Sequence, residues 1–179
     1  LEWGFNITPP KTSAYILDRL VQHKSINATV GIDSKKDGKY VQFQHSAMTF
    51  KIYNKALHFG LDEEILRIEI KQTNWSSYRS KGIETFDDFI RYDKAIFLHE
   101  LISQWERIIF YDINDKKSVK YIRYHLPTFW DDLRKNRSSK NFKYHSDKLK
   151  NLNQTLGFNT QNKVSLLIMK KGKEYQLKI

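Results

Sequence analysis

The sequence predicts an α+β fold: an antiparallel sheet packed by helices, followed by a basic, mostly helical C-terminal segment. Three observations carry that expectation. Segments in the first half alternate apolar and polar residues with a period of two, as a strand with one buried face does. Around and after them, apolar residues recur at spacings of three and four, the period of a helix. Charge is divided unevenly as well. Residues 1–112 hold 15 Lys and Arg against 15 Asp and Glu, whereas residues 113–179 hold 16 against 5. The expected organisation is therefore a sheet-bearing part over 1–112 and a basic helical part over 113–179.

Taken in order, residues 2–7 read as a strand that stops at Pro9-Pro10, where two backbone donors are lost. Ser13 is placed to cap a helix carrying Ile16, Leu17, Leu20 and Val21. Residues 26–32 look extended, 34–38 supply a turn, and Tyr40, Val41 and Phe43 open a second strand. A third strand runs from Met48 to Tyr53, with Met48, Phe50 and Ile52 on one side and Thr49, Lys51 and Tyr53 on the other. Over 65–71, Ile65, Arg67, Glu69 and Lys71 share one face, and Leu66, Ile68 and Ile70 share the other. Thr85 caps a short helix reaching Tyr92. One long helix is expected to hold Phe97, Leu98, Leu101, Ile102, Trp105, Ile108 and Ile109. A linker over 112–118 leads to a helix opened by Pro127 and to another over 143–156 closed by Gly157. Gly172 then reads as an interruption of the basic end.

A chain of 179 residues is long enough to bury one substantial core. It contains no apolar run of the roughly 18 residues that a membrane span needs, so no membrane partner is expected. The absence of cysteine excludes disulfides, thiolate metal sites and thiol redox chemistry. The net charge of +11 resides in the C-terminal part. Such a surplus suits a polyanion, because each phosphate contact releases condensed counterions; its bland alternative is a solvated, lysine-rich helical surface. Arg134, Lys135, Arg137, Lys140 and Lys143 are the candidate phosphate contacts there.

Tyr53 ends a strand on the face that also carries Lys51, with Lys55 two residues on. A tyrosine that attacks a phosphodiester must lose its phenolic proton, and the charge developing on phosphate must be neutralised. Lys51 and Lys55 are the local cations for that task; the alternative is a packing tyrosine. Glu69 lies inside an apolar strand two residues from Arg67. It is either one half of a structural ion pair or an oxygen ligand for a cation. Glu2 has a similar setting, and His45 and His58 are the imidazoles nearest the candidate strands. Oxygen ligands with one imidazole suit Mg2+ or Mn2+.

Three segments in order, Leu1-Glu2-Trp3-Gly4-Phe5-Asn6-Ile7, Phe50-Lys51-Ile52-Tyr53-Asn54-Lys55 and Leu66-Arg67-Ile68-Glu69-Ile70-Lys71, resemble the replication initiation proteins of filamentous phages and related plasmids. These belong to the superfamily of single-strand endonucleases with a tyrosine nucleophile. The resemblance implies a metal-assisted attack by Tyr53 that nicks and rejoins single-stranded or locally melted origin DNA. It implies phosphate support from Lys55 and metal ligation by Glu69, Glu2 and His45, with Mg2+ or Mn2+ as the ion. It also implies work in the cytoplasm of a bacterial host, and a preceding N-terminal segment or replication proteins as partners. The alternative from the same residues is a non-catalytic DNA-binding module or an inactive fragment of such an initiator.

Overall fold

The computed structural model describes residues 1–33, 38–113, 116–135, 139–157 and 159–176. The fold is α+β. It is built on a five-stranded antiparallel sheet, with a second sheet of three strands and helices gathered toward the C-terminus.

Strand β1 (Glu2–Ile7) leads to the short helix α1 (Ser13–Leu17), then to β2 (Leu20–His23), β3 (Ile26–Asn27), β4 (Thr29–Asp33), β5 (Gly38–Gln44) and β6 (Met48–Asn54). Thr12, rather than Ser13, caps α1: its hydroxyl accepts from the Tyr15 amide at 3.2 Å. Ser13 is occupied by Glu64, to which its amide and hydroxyl donate at 3.1 and 2.7 Å. Helix α2 (Lys55–Phe59) follows β6, capped by Asn54, whose side chain accepts from the Leu57 amide. Next come β7 (Leu66–Gln72), α3 (Ser76–Arg79), α4 (Phe86–Arg91), α5 (Lys94–Glu106) and β8 (Ile108–Phe110). Thr85 caps α4 in a reciprocal capping box with Asp88. The C-terminal part holds a 3-10 helix (Lys116–His125), α6 (Pro127–Lys135), α7 (Ser139–Thr155) and α8 (Thr160–Gln176). The turn expected over 34–38 lies, apart from Gly38, outside the described residues.

Two expectations fail together. Leu20 and Val21 were expected on a helix with Ile16 and Leu17, and Ile108 and Ile109 at the end of the long helix. The helices instead stop at Leu17 and Glu106, and β2 pairs with β8 through Leu20–Phe110, Gln22–Ile109 and His23–Ile108. Apolar spacing cannot separate a short buried strand from a helix turn; here the two misread segments are each other's partners.

The large sheet has the order β1-β7-β6-β5-β4. Its apolar face presents Leu66, Ile68, Ile70, Phe50, Ile52, Val41 and Phe43, all essentially sealed from solvent. Against it pack Ile16 and Leu17 of α1, Leu101, Ile102 and Trp105 of α5, and Val164 and Ile168 of α8. The sheet-bearing part and the basic part thus share one core. Asp112, fully buried, stitches the join: it accepts from the Tyr15 hydroxyl at 2.8 Å and from the amide and hydroxyl of Thr160 at 2.9 and 3.1 Å. A second cluster, centred on Tyr124 and Trp130, packs the C-terminal helices against Val21 and Ile109.

Gly172 does not interrupt the basic end. It lies within α8 where that helix crosses α5, and a Cβ there would overlap the side chain of buried Leu98. Close approach, not chain breaking, explains the glycine. Gly172→Val is accordingly expected to lower the urea midpoint of unfolding, with a loss of about 1–3 kcal/mol from overpacking.

Candidate active site on the polar face of the sheet

Strand pleating turns every second residue of β1, β7, β6 and β5 away from the core, and the register aligns them in rows. Asn6, Arg67, Tyr53 and Tyr40 form one row. Gly4, Glu69, Lys51 and Gln42 form the next, followed by Glu2, Lys71, Thr49 and Gln44. Tyr53, Glu69, Lys51 and Glu2, all expected from sequence, therefore share one face, and Arg67 joins them.

The geometry centres on one carboxylate oxygen. Arg67 Nε donates to Glu69 Oε2 at 2.6 Å, and the Tyr53 hydroxyl donates to the same oxygen at 3.3 Å. Arg67 Nη1 also donates to Asn6 Oδ1 at 3.2 Å, which fixes the guanidinium. Glu69 is only 4% exposed, so its charge depends on that partner. Lys51 Nζ sits 4.6 Å from the centre of the Tyr40 ring and 5.0 Å from that of Tyr53. His58 meets the Tyr53 ring edge-on at 5.9 Å. Beside Tyr53 is a cleft of about 300 Å³, lined by Tyr40, Lys51, Tyr53, Asn54 and His58 among others.

Burial, followed by the charge of Glu69, pushes the Tyr53 phenol up to about 12, against a smaller downward pull from Arg67. The phenol is therefore protonated at neutral pH and aims its proton at a carboxylate. This arrangement can pass a proton from Tyr53 to Glu69. The cations lining the cleft are Lys51 and Lys39, the latter paired with Asp18, while Arg67 is held by Glu69 and Asn6.

Other expected residues fall elsewhere. Lys55 opens α2, and its ammonium lies 5.5 Å from the Phe59 ring, so Lys51 is the lysine set against Tyr53. His45 is not beside Glu69. Its Nε2 lies 2.8 Å from Nδ1 of His23, a fully buried imidazole whose ring contacts Phe43 and Phe50 on the core side of the sheet. The expected set of Glu69, Glu2 and His45 therefore does not gather. Among the described residues no group of three or more His, Asp and Glu is arranged to hold a metal ion. Arg134 is partly buried, donating to Gln22 Oε1 at 3.0 Å and stacking at 3.9 Å on Phe142, which fastens α6 to β2. Lys135, Lys140 and Lys143 are exposed, and Arg137 lies outside the described residues.

From sequence, Tyr40 is read only as a strand residue and His58 only as an imidazole near the candidate strands. Counting outward from the turn at 45–47 would pair Tyr40 with Ile52; the observed register is offset by one residue and pairs it with Tyr53. The approach of His58 to Tyr53 depends on where α2 starts.

Compared with protein-family models, curated proteins and solved structures, the chain matches none. No helix among the described residues is long and apolar enough to cross a membrane.

Replacing Arg67 by Met strands a buried carboxylate and is expected to cost about 3–5 kcal/mol in urea unfolding, with much of the loss recovered when Glu69→Leu is added. A second expectation concerns acid. Burial, then the neighbouring His45 and Lys24, lowers the His23 pKa to about 3. The unfolded chain, with an ordinary imidazole near 6.5, binds that proton first. Stability should thus fall as pH drops from about 6.5 toward 3, by up to about 1.4 kcal/mol per pH unit. Denaturant midpoints at pH 7 and pH 4.5 check this, and His23→Gln should flatten the difference.

Proposed function

We propose that the chain nicks and rejoins single-stranded DNA through Tyr53, as a replication initiator of the rolling-circle kind acting in a bacterial cytoplasm. The observation that carries this reading is the convergence of the Tyr53 hydroxyl, Glu69, Arg67 and Lys51 on the polar face of the sheet, beside a cleft. With the phenol near 12, only about one molecule in 10⁵ holds a phenolate at pH 7. The attack must therefore shed its proton as it proceeds, and Glu69 Oε2 is the acceptor at hand.

In the step proposed, Tyr53 Oη bonds to phosphorus and its proton passes to Glu69. The bond from phosphorus to the 3′ oxygen breaks, and that oxygen takes a proton from solvent. The products are a 5′ phosphotyrosine and a free 3′ hydroxyl; rejoining is the reverse. Lys51 and Arg67 offset the charge gathered on the phosphoryl oxygens. Because His45 lies apart from Glu69 and Glu2, no step here is routed through the expected Mg2+ or Mn2+. Exposed Lys135, Lys140 and Lys143 would hold flanking phosphates, adding affinity rather than sequence choice. Origin DNA, melted locally, is the substrate on this reading, with replication proteins or a preceding segment as partners.

The second reading is a DNA-binding module without catalysis, favoured by the same raised phenol pKa. Incubating the protein with a pool of random-sequence single-stranded oligonucleotides, with and without manganese, separates the two. A covalent adduct on a denaturing gel is expected, lost in Tyr53→Phe and reduced roughly a hundredfold or more in rate by Glu69→Gln. An adduct that survives Tyr53→Phe removes Tyr53 from the role. Salt-sensitive binding with no adduct leaves the module.

A further inference from the structure

Tyr40 and Tyr53 are direct cross-strand neighbours on β5 and β6, a pairing in which two aromatic side chains ordinarily lean together. Tyr40 leans the other way. Its β4 partner is Gly31, and a Cβ built there would overlap Cζ, Oη and Cε1 of the Tyr40 ring. The ring therefore lies across the Gly31 backbone, in space that any other residue would fill. Turning it toward β4 leaves a cleft beside Tyr53, and the Lys51 ammonium sits between the two rings. At about 300 Å³ the cleft is at the lower end of pockets that take small ligands. Half-exposed tyrosine rings beside a lysine offer what an unpaired nucleotide needs: a flat apolar surface for the base and a cation for its phosphate.

We propose that this cleft is a base-stacking subsite for single-stranded nucleic acid. Tyr40, laid across Gly31, takes the face of one unpaired base, and Lys51 holds the phosphate between that base and Tyr53. Gly31 is the positioning residue, since it alone allows Tyr40 to lie down. The inference rests on Tyr53 as the residue that meets the phosphate, and it adds what the strand must present next to it.

The test compares a short fluorescein-labelled oligothymidylate with an abasic strand of equal length, by anisotropy, so that phosphate contacts elsewhere cancel in the ratio. The intact protein should prefer the thymine strand by at least about fivefold, the low end of what stacking one base supplies. Tyr40→Ala and Gly31→Val should each erase that preference, whereas Tyr40→Phe should keep it. Should Gly31→Val fail to fold, as read by circular dichroism, Tyr40→Ala against Tyr40→Phe decides alone. The adduct assay is run on the same proteins. Loss of the preference in Tyr40→Ala supports the subsite whether or not an adduct forms; without an adduct, only the nucleophile reading falls. A preference unchanged in Tyr40→Ala, or absent from the intact protein, overturns the subsite even where Tyr53 forms its adduct.

Discussion

The Arg67–Glu69 pair is the constraint on which the polar face depends. A carboxylate held at 4% exposure must be matched by a cation or give up its charge. The guanidinium two residues away matches it from the same strand, and Asn6 of the neighbouring strand holds the guanidinium. This ties β1, β7 and β6 to one register. A slip of one residue would send Arg67 and Glu69 into the core and bring Ile68 and Ile70 out. The same pair sets the chemistry, because Glu69 both raises the Tyr53 pKa and receives its hydrogen bond.

Much of this was legible from the order of residues. Period-two alternation over 48–53 and 65–71 places Tyr53, Lys51, Arg67 and Glu69 on one face without knowledge of strand order, since parity alone settles the side of a sheet. The capping box at Thr85 and the apolar stripe of α5 are equally local. What could not be read is non-local. Strands β2 and β8 exist because each finds the other across nearly ninety residues of chain, and neither carries a period that distinguishes it from a helix end. His45 was misplaced because the turn after β5 swings it to His23, a partner that only the second sheet supplies. Gly172 looked like punctuation because its neighbour, Leu98, belongs to another helix.

The polar face and the basic helices hold their cations in different ways. On the face, two cations are set by a ring or a carboxylate, Lys51 between Tyr40 and Tyr53 and Arg67 on Glu69, while Lys71 is exposed. On the helices, Lys135, Lys140 and Lys143 are exposed. Ordered cations suit a single phosphate at a reacting centre, whereas dispersed ones suit a backbone held loosely along its length.

The place of α8 in the core has a consequence for how the protein is made. Val164 and Ile168 close the apolar side of a sheet whose first strand begins at Glu2, and Asp112 waits for Thr160. On the ribosome, strands β1 to β7 emerge long before their lid is synthesised. Helices α1 and α5 cover part of that face as they emerge, but the part under Val164 and Ile168 stays open until α8 follows, which favours late completion of the core.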